Sequence, residues 1–342
     1  MKPLEITVDQ STQKHRFCIA PMMDWTDRHC RHLHRILSRK ILLYTEMVTT
    51  GALLYGDIPK HLDFDSNEHP VALQLGGNEP YALAQAAKLG YQWGYSEINL
   101  NCGCPSSRVQ QGAFGATLMS HPKRVKECID AIQNVCTLPV TVKHRIGLDN
   151  IDSYDFVRDF VGTVAQSGCH TFIVHARSAI LAGLSPKENR EIPPLKYEYA
   201  YQLKQDFPTL QIVLNGGITT TEAIKQHWQY VDGIMIGRHA YHQPYFLADA
   251  DNLISNQQTP IISREEVEEK FCAYTCTQLA LGIPAAHIIR HVLGLYHGQA
   301  GARNWRRILS DHQALTAIRN ATDVITLFNK ARQELKNASS AP

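Results

Sequence analysis

Ser96-Glu97-Ile98-Asn99-Leu100-Asn101-Cys102-Gly103-Cys104-Pro105-Ser106 is an apolar-leaning strand pattern that breaks, after Leu100, into a loop stiffened by glycine and proline. Gly103 allows close backbone approach and Pro105 fixes the turn, so the loop can hold a thiol over a ligand at a strand's C-terminal end. A cysteine can also be a small apolar residue packed beneath such a loop. Two cysteines one residue apart suit neither a disulfide nor the usual zinc spacings.

Outward from this stretch, short β-branched or aliphatic runs alternate with longer amphipathic ones between residues 17 and 240. The runs are Phe17 to Ala20, Ile41 to Thr45, Val71 to Leu75, Glu97 to Leu100, Val140 to Lys143, Thr171 to Val174, Gln211 to Leu214 and Gly233 to Ile236. Helical patterns fall between them at Pro80 to Leu89, Pro122 to Val135 and Ser153 to Gln166, the last opening on a serine cap. Eight βα units predict an α/β fold, a closed (β/α)8 TIM barrel, over residues 1–250. Polar or special residues recur where the runs end: Pro21-Met22-Met23, Glu46, Gln74, Asn101, Lys143, His175, Asn215 and Gly237-Arg238. Active sites of this fold sit on that face.

After Tyr245 the alternation stops, and residues 251–342 are predicted to form a smaller all-helical domain whose last residues, Asn337 to Pro342, are frayed. Ser263-Arg264-Glu265-Glu266 has the composition of a capped helix start with acids in its first turn.

The 342 residues carry a formal net charge of +2, with 44% hydrophobic and 19% charged residues, a soluble globular composition. Affinity for nucleic acid must then come from local basic patches. Nine cysteines without framework spacing, and a polar start at Met1 to Lys14, predict a reducing cytoplasm. No apolar run reaches the ~20 residues of a membrane span.

Asn215-Gly216-Gly217-Ile218 and Ile236-Gly237-Arg238 end the seventh and eighth runs, where barrels often bind a phosphate through loop amides. No Walker A loop or dinucleotide fingerprint accompanies them. Lys143 ends an apolar strand and calls for an anion, whether a reduced flavin, a phosphate or an enolate. His175 and Arg177 alternate so as to face one ligand, and no second ligand at metal spacing accompanies His175. Arg303-Asn304-Trp305-Arg306-Arg307 in the tail, and Lys187 with Arg190 after strand six, offer basic edges for RNA, with Trp305 either stacking on a base or packing in a helical core. Arg28, Arg31, Arg35 and Arg39 line one helix face and are expected to be exposed charge on a barrel helix.

The segments Ala20-Pro21-Met22-Met23-Asp24-Trp25-Thr26-Asp27, Leu73-Gln74-Leu75-Gly76-Gly77, Asn99 to Ser106, Thr141 to Gly147, His175-Ala176-Arg177, Asn215 to Ile218 and Gly237-Arg238, in this order, resemble the tRNA-dihydrouridine synthases, most closely the A subfamily of bacteria. Cys102 departs from the aliphatic residue expected there. The resemblance implies FMN at the barrel mouth, with Pro21, Met22 and Met23 against the ring, Gln74 and Lys143 on its polar edge, His175 nearby, and Asn215, Gly216, Gly217, Gly237 and Arg238 at the phosphate. It implies NADPH as reductant, hydride transfer to C6 of uracil and proton donation to C5 by Cys104, a task suited to thiols, whose ordinary pKa of ~8.5 keeps them protonated at neutral pH. The implied partner is tRNA, modified in the D-loop near position 20. Asn101, Arg145, Arg177, Lys187, Arg190, Arg303, Arg306 and Arg307 are the substrate-side candidates; no metal and no protein partner is predicted. An FMN reductase of a free pyrimidine or another small activated alkene, for which the basic tail is superfluous, and a non-catalytic RNA-binding protein on a decayed barrel are the competing readings.

Overall fold

The computed structural model describes residues 12–339. The stretch Met1 to Ser11 and the tip Ser340 to Pro342, including most of the polar start and the end of the frayed tail expected above, lie outside the described residues; Asn337 and Ala338 continue a helix that spans Ala321–Ser339.

Eight parallel strands follow one another around a sheet in the order β1-β8-β7-β6-β5-β4-β3-β2. They are β1 Phe17–Ile19, β2 Leu43–Thr49, β3 Val71–Gly76, β4 Glu97–Cys102, β5 Val140–Arg145, β6 Thr171–His175, β7 Gln211–Asn215 and β8 Gly233–Ile236. A parallel bridge between Cys18 and Leu42 joins β1 to the approach of β2. Ile19 N donates to Leu42 O at 2.9 Å and Leu42 N to Phe17 O at 3.0 Å, which closes the barrel.

Three strands differ from the sequence expectation by two residues or more, β5 by running on through His144 and Arg145. β2 begins at Leu43 and runs past Glu46 to Thr49, with a register shift between Tyr44 and Met47, so Glu46 lies within a bulged strand and does not terminate one. β4 runs through Asn101 and Cys102, because these two pair with Lys143 and His144 of β5.

Alternation along the strands sorts residues between the barrel interior and the helix layer. Cys18, Ala20, Leu42, Tyr44, Ala72, Ile173, Val213 and Met235 form one buried apolar cluster of inward positions, with Met22 packed against it. The inward positions of β4 are polar instead: Glu97, Asn99 and Asn101 are all buried. Outside the strands, Ser153 caps the helix Tyr154–Ala165 by accepting from Phe156 N. Glu79 likewise caps Pro80–Gln92, where Pro80 occupies the first turn.

The chain forms two compact units, one comprising Ile41–Gly237 with the chain up to Thr26, the other Asp27–Lys40 with Arg238–Pro342. The second unit thus begins before residue 251 and recruits the helix Arg28–Leu37, which sequence order assigns to the barrel. Its packing explains why: His32 stacks on Tyr274 at 3.7 Å between ring centroids, His29 Nδ1 lies 2.8 Å from Tyr274 Oη, and Arg28 donates to Gln278 at 2.9 Å. Arg31 and Arg35 are buried there, so this arginine row is not a free basic face. Within the same unit Ser263 caps the helix Arg264–Ala280. Trp305, fully buried, packs edge-on against Tyr296 and Phe328. Its indole N–H donates to Val292 O at 3.2 Å. Base stacking by Trp305 is therefore ruled out, because the ring is a core element.

Candidate active site

The thiol loop is held from below. Asn101 Oδ1 accepts Gly103 N at 3.1 Å and Cys104 N at 3.0 Å, an Asx turn that curls the chain as it leaves β4. Cys104 O accepts Ala116 N at 3.0 Å, and Arg145 Nε donates to Gly103 O at 3.2 Å. The result is a partly exposed Cys104 with Sγ 3.6 Å from Ser106 Oγ. Cys102 differs in kind: it is fully buried on the outward side of β4, and burial pushes its thiol well above the ordinary range. One thiol can reach a ligand and the other is inert packing.

Pairing of β4 with β5 sets Lys143 beside Asn101, and pairing of β5 with β6 sets Arg145 beside His175. Burial, reinforced by the Arg145 and Arg190 charges, lowers the Lys143 ammonium to about 7. The same environment, burial first and then Arg145, Lys143, Arg177 and Arg190, holds His175 well below its usual value and hence neutral at neutral pH. A mouth lined by so many cations attracts an anion.

Asn215, the last residue of β7, donates from Nδ2 to Met235 O at 2.8 Å and so ties β7 to β8 at the mouth. Gly216 and Gly217 follow at φ 123° and 68°, a left-handed turn. A Cβ at Gly217 would lie 2.7 Å from Leu195 and 2.9 Å from the Tyr197 hydroxyl, and at this φ any side chain is strained, so the position favours glycine. Gly237 closes β8 with a Cβ position 3.4 Å from Ala20 and Met22 Sδ. Pro21 and Met22 are partly buried, and Met23 is 54% exposed. Met22 N donates to Thr26 Oγ1 at 2.9 Å, which sets this turn. Arg238 opens the helix Arg238–His242, which groups with the second unit.

These residues fit a flavin mononucleotide. Among the described residues Lys143 has no acceptor of its own, as a cation awaiting an anionic ring edge would. Met22 offers an apolar surface over the interior cluster. The glycine turn, without Cβ atoms, leaves its backbone open to close approach by a phosphate.

Several substrate-side candidates have structural duties. Besides Gly103 O, Arg145 Nη1 donates to Ser178 O at 3.2 Å and Asn189 O at 2.7 Å, so the buried guanidinium pins the thiol loop to the long connection after β6. Arg177 Nη1 donates to Glu191 O and Pro193 O. Asn101 points into the protein, toward Gln74. Lys187 is exposed and Arg190 half-buried on the loop after β6. Arg303, Arg306 and Arg307 are exposed on the helix Ala302–Leu309 of the second unit. Sequence reasoning missed Asn189, fully buried, whose side chain accepts from Ile180 N at 2.7 Å and donates to Ile180 O at 2.8 Å, holding that long loop closed. Among the described residues no group of three or more His, Cys, Asp or Glu could hold a metal ion. No described helix is long and apolar enough to cross a membrane.

A closed parallel barrel whose C-terminal mouth gathers an accessible thiol, a cationic strand edge and a left-handed glycine turn defines a (β/α)8-barrel enzyme. The sequence profile described as Dihydrouridine synthase (Dus) matches residues 18–332. A tRNA-dihydrouridine(20/20a) synthase of Pseudomonas aeruginosa is 51% identical over 335 residues, covering 98% of this chain and 99% of its own. Its counterpart in Shewanella oneidensis is 53% identical over 304 residues, covering 89% and 90%. The chain belongs to the dihydrouridine synthase family, flavin-dependent oxidoreductases that modify tRNA. Among solved structures, a morphinone reductase overlaps 74% of this chain and 90% of its own at a TM-score of 0.49 and 11% identity.

Proposed function

We propose that this chain reduces the C5=C6 bond of uridine to 5,6-dihydrouridine in the tRNA D-loop, at the 20/20a positions for which its relatives are named. The observation that carries the reading is Cys104, half-exposed at the mouth on a loop fixed by Asn101 and flanked by Lys143. Bound FMN, recharged by NADPH, supplies the hydride for uracil C6.

Everything else falls to the protein. Lys143 and Gln74 hold the polar edge of the ring, Pro21, Met22 and Met23 its face, and neutral His175 offers an uncharged hydrogen-bonding group beside them. Gly216, Gly217 and Gly237 give backbone amides to the phosphate, and Arg238, next in the chain, is the remaining candidate there. Cys104 delivers the proton to C5 and is reprotonated from solvent. The target base has to leave its stack, at a cost of a few kcal/mol that is least in a loop. Lys187 and Arg190 on the barrel, and Arg303, Arg306 and Arg307 on the second unit, grip tRNA phosphates. All nine cysteines are free thiols, in keeping with a reducing cytoplasm, where tRNA is matured.

Purified protein should be yellow, release FMN on denaturation, oxidise NADPH and leave dihydrouridine detectable by mass in unmodified tRNA. Equal or faster reduction of free uridine would instead favour a small-molecule reductase.

A further inference from the structure

One line of buried hydrogen bonds connects the barrel floor to the thiol loop. Glu97 Oε2 receives His15 Nε2 at 2.7 Å and lies 3.5 Å from Lys14 Nζ. Glu97 Oε1 receives the Tyr44 hydroxyl at 2.9 Å and the Thr141 hydroxyl at 2.7 Å. Thr141 Oγ1 accepts Asn99 Nδ2 at 2.8 Å, and Asn99 Oδ1 accepts Gln74 Nε2 at 2.7 Å. Gln74 Oε1 accepts Asn101 Nδ2 at 2.8 Å, which leaves Asn101 Oδ1 for Gly103 N and Cys104 N.

The direction of this line is a chemical necessity once Glu97 is a carboxylate, because a carboxylate only accepts. Burial alone would neutralise Glu97, but His15 and Lys14 hold it down to about 2. The single Thr141 proton is then committed to Glu97, so Thr141 must accept from Asn99. Each amide beyond it, in turn, can face only one way. An amide turned by half a rotation has almost the same shape, so packing cannot choose its direction and hydrogen bonding must. With the opposite direction, Asn101 would present N–H groups to two loop N–H groups and release the loop.

We propose that Glu97, at the floor of the barrel, is a positioning residue for the Cys104 loop: relayed by Thr141, Asn99 and Gln74, its negative charge fixes the direction of the Asn101 amide. The role rests on Cys104 as the working thiol and goes beyond it by assigning a residue that touches neither cofactor nor substrate.

The polarity can be reversed on purpose. In N101D the carboxylate still accepts the loop N–H groups, but its second oxygen faces Gln74 Oε1, which Glu97 keeps pointed at it. Adding E97Q relieves this: the amide introduced at position 97 donates to Thr141, Thr141 to Asn99 Oδ1, Asn99 to Gln74 Oε1, and Gln74 to the new carboxylate. Interior charge is conserved in the double variant. The experiment compares wild type, E97Q, N101D and the double variant, each loaded with FMN, by single-turnover uridine reduction and by iodoacetamide labelling of Cys104 mapped to its peptide. Each single variant is expected to lose about tenfold in uridine reduction, the worth of one hydrogen bond, and to label Cys104 at an altered rate. The double variant is expected to return to within about threefold of wild type in both readouts. If N101D alone does not fold, folding restored by E97Q supports the proposal and continued failure overturns it. Losses that simply multiply in the double variant also overturn it. The labelling readout reports loop geometry whether or not Cys104 is the proton donor, so a failure of the acid role, seen with Cys104→Ala, stays distinct.

Discussion

Asn101 Oδ1 receives the backbone N–H of Cys104 at 3.0 Å, a bond between the last inward side chain of β4 and the residue that carries the accessible thiol. It separates two neighbouring cysteines by position, since Cys102 is paired within β4 and buried while Cys104 is lifted clear. Cys104→Ala should keep FMN and its reduction by NADPH yet lower uridine reduction by about 10²-fold or more, the usual worth of a general acid. Cys102→Ala should stay near wild type. Stopped-flow measurement of the two half-reactions separates these outcomes, and equal uridine reduction by the Cys104 variant would remove the acid role.

Lys143 gives a pH signature. Its folded value of about 7 lies below the ordinary 10.5, so between these values the unfolded chain binds the proton and the folded apoprotein does not. Stability must then rise with pH through this window on Lys143's account, and the gain is absent below it, where both states are protonated. Apoprotein melting temperature measured from pH 6.5 to pH 9.5 should show this slope, and Lys143→Met should flatten it. The same variant should slow uridine reduction more than it weakens FMN retention. An unchanged slope in Lys143→Met would show that another group titrates.

The Gly216-Gly217 turn, proposed to hold the phosphate, predicts a backbone effect. Gly217→Ala places a methyl 2.7 Å from Leu195 at a φ of 68°. Left-handed backbone costs roughly 1 to 2 kcal/mol for a residue with a Cβ, so the free turn relaxes to another conformation and repays that cost on binding; FMN affinity should fall about tenfold while the barrel still folds. Fluorescence titration of the apoprotein with FMN measures this. Undiminished affinity would place the phosphate elsewhere.

Much of the barrel is legible because its strands are buried on both sides, which leaves continuous apolar runs such as Val71 to Leu75 and Thr171 to Val174. The same rule hides the end of β4. Asn101 and Cys102 look like loop residues until β5 is known to pair with them, and that pairing is long-range. The helix Arg28–Leu37 misleads for a related reason: its Arg and His residues suggest solvent, but Arg31, His34 and Arg35 are buried within the second unit. Trp305 sits among arginines in sequence and yet is core, because a helix turns it away from Arg303, Arg306 and Arg307. The motif residues stand at strand ends because each motif is local, whereas the polar line from Glu97 to Asn101 depends on side chains from three strands and leaves no local pattern.

Trp305 and its neighbours make a final prediction that separates RNA binding from folding. On the helix Ala302–Leu309 the core takes Trp305, Ile308 and Leu309, while Arg303, Arg306 and Arg307 are exposed. Trp305→Ala removes a fully buried ring and should cost about 3 to 5 kcal/mol, enough to unfold the helical unit. Arg303→Ala/Arg306→Ala should leave melting unchanged, because exposed helix charges contribute little to stability. If these guanidinium groups meet tRNA phosphates, binding should weaken, and the log–log dependence on salt should become shallower by up to ~1 for each residue removed. Lys187→Ala on the barrel should act in the same direction. Filter binding of tRNA at several salt concentrations, with NADPH oxidation in the absence of tRNA as the control for the barrel, makes the comparison. Should affinity and salt slope both stay put in the double arginine variant, this helix face is not where tRNA phosphates are held.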